Sequence, residues 1–351
     1  MAQIPFYLLK EQTMNLPINM TRDTSGHVYL DPDIAVLLGA ASRAAYDDYA
    51  NRNNPAYTPA AIPFPIGTFN FVQRFTGFDD VAWGLGDEER YGVIFQWSEQ
   101  ADVYVFAFRG TSSVYDMLLD LESAAPAVFV PYKNPGNFPD DVHVADGFNK
   151  VYATKNDTMT ASMQAQLFEI IQTLPTPPGQ ILITGHSLGA ALATLFTMDV
   201  AVSRPDIAVA NINFASPRVG QSKWQSTYDQ TYGLLNRTIC VRNSFDLVPK
   251  VPPQNWPFDF QDVGQVFPVA FNVTGIHVDL PALVLAWHAL SNYMYVVSRA
   301  TVNNPQVWTG TFPDSEHDSW QMESVDPSTS ATELELAKSR QDVKRILAQL
   351  V

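Results

Sequence analysis

Gln180-Ile181-Leu182-Ile183-Thr184-Gly185-His186-Ser187-Leu188-Gly189-Ala190-Ala191-Leu192-Ala193 is the stretch that decides the fold. Its first half is a short unbroken apolar run, the pattern of a strand buried on both faces. From Leu188 to Ser203 the chain is rich in Ala and Leu and reads as a helix. The join between them is Gly185-x-Ser187-x-Gly189. That pattern alone arises by chance in about one chain of this length in ten, so its setting decides. A strand before and a helix after is the setting that holds a serine on a sharp turn, with glycines where side chains would collide with the adjoining elements. The helix start also offers unpaired N–H groups and the positive end of its dipole. Ser187 therefore reads as a nucleophile, and the Leu188 N–H as a donor to an oxyanion. His186 adjoins Ser187 on a tight turn, where neighbouring side chains point apart, so it reads as structural.

The alternation continues on either side. Tyr91–Trp97 and Val103–Arg109 read as a pair of hairpin strands, Ile207–Phe214 and Arg237–Arg242 as further strands, and Gln221–Tyr232 as a helix. Phe148–Leu174 carries helical spacing up to Pro175. Asp31-Pro32 opens a helix to about Tyr49, with Asp31 as cap and Pro32 at the first helical position. Residues 51–90, rich in Pro, Gly and aromatics, show no clear period and are expected to be irregular. Strand and helix in turn predict an α/β domain, a mostly parallel central sheet with helices on both faces. With its sharp serine turn this is the α/β-hydrolase fold. No repeat or low-complexity linker divides the chain. Residues 1–351 are expected to form one domain, with an N-terminal arm over 1–30 and a C-terminal extension over 304–351. The extension ends in a helix from about Ala331, opened by Ser330 and Glu333.

The chain has 351 residues, 21 basic and 36 acidic, for a net charge of −15. That balance disfavours nucleic acid and anionic membranes as partners and is compatible with a neutral lipid. The single cysteine, Cys240, excludes an internal disulfide and reads as a core residue. The N-terminus lacks a basic stretch followed by a long apolar one, so no cleavable signal peptide is expected. Leu280–Val297 is apolar but interrupted by Trp287-His288 and Ser291-Asn292, so no integral membrane segment is expected. Location is left open between export by another route and the cytoplasm, as is oligomeric state.

A serine hydroxyl needs a base, and the base needs an acid to orient it. In this fold the acid and then the histidine follow the serine. Asp246 lies just beyond a strand end, on the sheet edge that carries the serine turn, and is favoured over Asp206, Asp259 and Asp262. His288, at a junction with a helix, is favoured over His277, which lies in an extended run. His317 sits among Asp314, Glu316 and Asp318 and reads as a solvated cluster, so no metal site is expected. Val114, Met117, Leu118 and Leu121 fall at i, i+3, i+4 and i+7, one face of a short amphipathic helix.

Four segments in order resemble the class 3, fungal-type triacylglycerol lipases: Ala107-Phe108-Arg109-Gly110-Thr111, Thr184 to Ala193, Asp246-Leu247-Val248-Pro249-Lys250-Val251-Pro252, and His288 to Tyr293. The resemblance implies Ser187, Asp246 and His288 as a catalytic triad and Thr111 as a second oxyanion donor beside Leu188. It also implies a lid over residues 113–124, with Met117 where such lids usually carry Trp. The expected activity is hydrolysis of fatty-acid esters through an acyl-enzyme at an oil–water interface, chemistry that needs no metal or organic cofactor. Phospholipase A1 or a feruloyl-type esterase is the alternative within enzymes. A catalytically inactive binding module is the alternative outside them.

Overall fold

The computed structural model describes residues 30–78, 88–111, 114, 117–118, 121, 124–133, 136, 138–157, 159–269, 271–274, 280–298, 310–311 and 321–324. Residues 1–29 of the expected arm, His277, His317 and the expected helix after Ala331 lie outside them.

In the central sheet β1 (Ile62–Pro63), β2 (Thr68–Phe78) and β3 (Glu88–Trp97) run antiparallel to one another and onto β4 (Val103–Phe108). Two small strands follow, β5 (Pro126–Val128) and β6 (His143–Ala145). The central sheet then continues in parallel from β4 through β7 (Gln180–Gly185) and β8 (Ala208–Phe214). After the small β9 (Gly220–Gln221) come β10 (Thr238–Asn243), the small β11 (Phe260–Gln261) and β12 (Gln265–Val269), with β10 and β12 completing the parallel run. The order is β1-β2-β3-β4-β7-β8-β10-β12, the mostly parallel sheet of an α/β-hydrolase. Strands β5, β6, β9 and β11 form a second sheet, in the order β11-β9-β6-β5.

Both faces of the parallel part are covered, which is why β4 and β7 are buried at every position. The pleat divides β4 between two cores. Tyr104, Phe106 and Phe108 pack with the helices Asp146–Ala153, Met163–Thr173 and Leu188–Ser203. Val103, Val105 and Ala107 pack with the helix Pro32–Ala50 and the pair Leu280–His288 and Leu290–Ser298. The helix Pro32–Ala50 starts as its sequence predicts, with the Asp31 carboxylate accepting from the N–H groups of Asp33 (2.9 Å) and Ile34 (3.2 Å). Among the described residues no helix is long and apolar enough to cross a membrane.

Several local expectations are corrected. Residues 51–90, expected to be irregular, contain β1 and the eleven-residue β2. Strand β2 slips register against β3 at Phe71/Gln73 and Phe75/Thr76, so its two faces do not alternate cleanly in sequence. Phe148–Leu174 is two helices, broken over 154–162 and restarted by the Ser162 hydroxyl, which accepts from the Ala165 N–H. Gln221–Tyr232 is one short α-helical turn followed by a π-helical one. The apolar run after Leu280 breaks at Ala289 into two helices, and His288 ends the first rather than opening the second. Part of the C-terminal extension is also strand: β15 (Gln321–Ser324) pairs with β13 (Phe271–Thr274) and with β14 (Gly310–Thr311). Cys240 is buried on β10, its thiol pushed up by that burial and directed at the Val263 carbonyl (3.5 Å).

The helix Leu188–Ser203 is buried almost all round and carries one carboxylate, Asp199. Four donors converge on it: the Tyr132 N–H (2.8 Å), Ser203 Oγ (2.9 Å), Tyr152 Oη (2.9 Å) and Gln164 Nε2 (2.6 Å). They tie this helix to its two neighbours and to the segment before Lys133. Burial outweighs these donors and pushes the carboxyl up to about 6. A folded-state value above the unfolded one favours the protonated native form, so this group's contribution to stability falls as pH rises from about 4 to about 6. Asp199→Asn is therefore expected to cost about 1 kcal/mol less at pH 7 than at pH 5. Urea unfolding at the two pH values measures the difference, and an equal cost at both would show that Asp199 ionises normally.

Candidate active site

The turn after β7 is built by close backbone approach. A side chain at Gly189 would meet the Arg109 carbonyl at 2.5 Å and the Phe108 carbonyl at 2.6 Å, and one at Gly185 would strike the Gly189 backbone. Only glycine lets the helix start pack this tightly on β4 and β7. Between them Ser187 takes φ 60° and ψ −130°, a conformation that costs of order 1–3 kcal/mol for a residue with a side chain. The sheet holds it there: Ser187 N–H donates to the Phe214 carbonyl of β8 (3.1 Å), and His186 bridges to Phe214 in parallel. Leu188 is the first helical residue, so its N–H has no acceptor within the helix. Gly110 lies against this turn, since a Cβ there would be 2.7 Å from the His186 carbonyl and 2.8 Å from Ser187 Cβ. Thr111 is the next residue, so it follows directly from this contact with Ser187.

Asp246 and His288 meet although 42 residues separate them. His288 Nδ1 and Asp246 Oδ2 are 2.8 Å apart. A carboxylate only accepts, so Nδ1 carries the hydrogen and Nε2 the lone pair. Nε2 is buried and makes no hydrogen bond. Two further donors fix the carboxylate: the Tyr293 hydroxyl onto Oδ2 (2.7 Å) and the Val248 N–H onto Oδ1 (3.0 Å). Burial and the neighbouring Asp246 charge raise Tyr293 well above the ordinary phenol range, which keeps it a donor. The competing acids are engaged elsewhere. Asp206 pairs with Arg204 (2.7 Å), Asp262 with Arg218 (3.2 Å) and Arg242 (2.8 Å), and Asp259 accepts from the Ser222 hydroxyl (2.5 Å).

His186 joins the site without being able to act as its base. Its Nε2 faces the His288 carbonyl (2.7 Å), so Nε2 bears the hydrogen, and Nδ1 accepts from the Tyr46 hydroxyl (2.9 Å). Burial, reinforced by the His288 ring, holds its pKa well below the usual imidazole value. It is a neutral strut. Its ring lies 4.6 Å from that of His288, centroid to centroid, which sets the Asp246–His288 pair beside the serine turn.

Access is closed. Ser187 and Asp246 are each 1% exposed and His288 2%. The Ser187 hydroxyl points not at His288 but at Met117 Sδ, 3.6 Å away. Val114, Met117, Leu118 and Leu121 are helical, and the last three are buried in the core that also contains Leu188, Leu247 and Val248. Neither Tyr293 nor Tyr46 stands out in the sequence as part of this site. Tyr293 follows His288 by five residues, a spacing with no helical meaning across the Ala289 break, and Tyr46 is 140 residues from His186.

Residues 105–256 match the family model of class 3 lipases. A rice protein (Oryza sativa subsp. japonica), phospholipase A1-II 3, is 32% identical over 210 residues, covering 55% of this chain and 48% of its own. The secreted mono- and diacylglycerol lipase MDL3 of Malassezia globosa is 30% identical over 190 residues, covering 53% of this chain and 58% of its own. The chain thus spans about half the length of the curated relatives it matches. The crystal structure of M37 lipase superposes with a TM-score of 0.53 at 15% identity, over 79% of this chain and 97% of that one, a likeness of fold. It is over residues 105–256, less than half of the chain, that the sequence is similar to the class 3 lipases.

Proposed function

We propose that this protein is a serine carboxylic ester hydrolase acting on fatty-acyl lipids, with Ser187 as nucleophile, His288 as base and Asp246 as the acid that orients it. The observation that carries the reading is the oriented pair: His288 holds its Nδ1 hydrogen toward Asp246 and leaves Nε2 unpartnered beside the strained serine turn. In the first step Ser187 Oγ attacks the ester carbon while its proton passes to His288 Nε2, and Asp246 stabilises the imidazolium. Negative charge on the carbonyl oxygen is received by the N–H groups of Leu188 and Thr111. The imidazolium protonates the leaving alcohol, and water repeats the sequence on the acyl-enzyme. No residue in this scheme calls for a metal or organic cofactor. Ser187→Ala is expected to lower ester hydrolysis by several powers of ten with folding intact. His288→Ala is expected to be nearly as damaging, and His277→Ala mild. Turnover of short-chain p-nitrophenyl esters and labelling by a fluorophosphonate measure this. A Ser187→Ala variant that keeps more than a few per cent of activity would remove Ser187 from the role.

The acyl substrate is read as a triacylglycerol or related ester. A phospholipid cleaved at its first acyl position is the second reading, favoured by the 32% identity to a rice phospholipase A1. Rates on emulsified triacylglycerol and on phosphatidylcholine vesicles decide between them.

Residues 113–124 are proposed to be a lid. Three observations support it: the buried Met117, Leu118 and Leu121 face the core, Met117 meets the nucleophile, and the triad has almost no exposed surface. Substrate entry therefore requires movement. In water the closed state hides apolar side chains, each worth roughly 1.5–3 kcal/mol when fully buried. At an oil surface the open state hides them equally well, which tips the balance. Activity is expected to rise sharply as substrate passes from monomers to droplets, and Leu118→Asp to weaken that rise. A rate that follows concentration smoothly through the solubility limit in both proteins would rule the gate out.

A further inference from the structure

The Gly110–Thr111 peptide has an orientation problem. Gly110 is a glycine because nothing larger fits against His186 and Ser187. The same lack of a side chain leaves its backbone torsions weakly restrained. A trans peptide points its C=O and its N–H in opposite directions. If the peptide turns over, the Thr111 N–H leaves the position from which it could meet a developing oxyanion. Something outside the glycine must select one of the two orientations.

Arg109 has the geometry to do so. Its Nη1 donates to the Gly110 carbonyl at 2.9 Å. The guanidinium is itself fixed on every side and only 3% exposed. Nε donates to the Arg90 carbonyl and Nη2 to Glu89 Oε2, both at 2.6 Å. Its central carbon lies 3.8 Å from the centroid of the Tyr49 ring and 4.3 Å from that of Tyr91. Tyr49 in turn donates to the other Glu89 oxygen (3.1 Å). A guanidinium offers donors only. It therefore holds the Gly110 carbonyl and rejects the flipped state, in which the Thr111 N–H would face it.

We infer that Arg109 is the positioning residue of the oxyanion site: by pinning the Gly110 carbonyl it aims the Thr111 N–H away from itself, toward the oxyanion. This rests on the proposed ester-hydrolase reading. Arg109 touches no reacting atom, and its effect falls on the transition state, where the donor's aim matters, rather than on substrate binding.

Arg109→Lys tests it. A lysine keeps the charge near Glu89 but, as a compact ammonium, cannot span Glu89, the Arg90 carbonyl and the Gly110 carbonyl together. With p-nitrophenyl ester below the melting range, kcat is expected to fall about a hundredfold and KM to stay within about threefold. The Ki of an alkylboronic acid, which forms a tetrahedral adduct on the nucleophile, is expected to rise in parallel with the loss of kcat. Arg74→Lys is the control for a partly buried, ion-paired arginine with no bond to Gly110. It disturbs the Asp48 pair (3.0 Å) and is expected to lower the melting temperature with kcat unchanged. If Arg109→Lys does not fold, Arg109→Gln combined with Glu89→Gln removes the charge pair together and carries the same comparison. Arg109 variants that keep kcat within threefold of wild type, or lose it only with an equal rise in KM, overturn the inference. Ser187→Ala assayed alongside separates the two levels. If it is inactive while Arg109→Lys is normal, only the role of Arg109 falls; if it is active, the assignment of Ser187 as the nucleophile falls as well.

Discussion

The site depends on one close contact, the start of the helix Leu188–Ser203 laid directly on the ends of β4 and β7. With no side chains at Gly185 and Gly189, the helix backbone reaches the Phe108 and Arg109 carbonyls. That contact forces Ser187 into its positive-φ conformation, exposes the first helical N–H at the turn, and seats Gly110 and Thr111 alongside. A Cβ at either glycine would push the helix off the sheet and move each of these features together. The strain at Ser187 is sustained because β7, the strand that leads into it, is fully buried and hydrogen-bonded on both sides.

Around this contact the polar groups form a linked frame. Tyr46 reaches from the helix Pro32–Ala50 to His186, and His186 reaches to the carbonyl of His288. His288 meets Asp246, and Asp246 is held by Tyr293 from the following helix. Elements from both ends of the described chain are thus tied to the serine turn through neutral or single-charge hydrogen bonds. His186 can serve as a strut because burial keeps it uncharged, so it neither competes with His288 for protons nor adds a second cation beside it. Arg109 brings a cation into this region, and Glu89 and two aromatic faces accommodate its charge.

The parts legible in the sequence are those whose meaning is local. The strand, turn and helix from Gln180 to Ser203, the cap at Asp31, and the strands at Ala208–Phe214 and Thr238–Asn243 depend on contiguous burial or on neighbours one turn away, and periodicity carries both. Strand β2 was not legible, because its bulges shift which side chains face inward partway along. Neither was the break over 154–162, where a serine cap restarts a helix within what reads as one period. In the site, Ser187 follows from its pattern, and Asp246 and His288 follow from chain order and strand-end position. Tyr46, Tyr293 and the Arg109 clamp join residues whose proximity is created only by the fold. Arg109 follows the end of β4 while Glu89 lies on β3, and Tyr46 is remote from His186, so no spacing rule can pair them.

Cys240 lies within β10, shielded by the sheet and with a thiol that burial keeps protonated. It is the sole cysteine of the chain. The native protein is therefore close to silent toward thiol reagents, and a cysteine introduced at any exposed position would be the one group to react. A spin label or fluorophore attached between residues 113 and 124 would report on that segment alone, with no need to engineer the background away. A residue that contributes only packing to the fold thus leaves the molecule ready for labelling at a single chosen position.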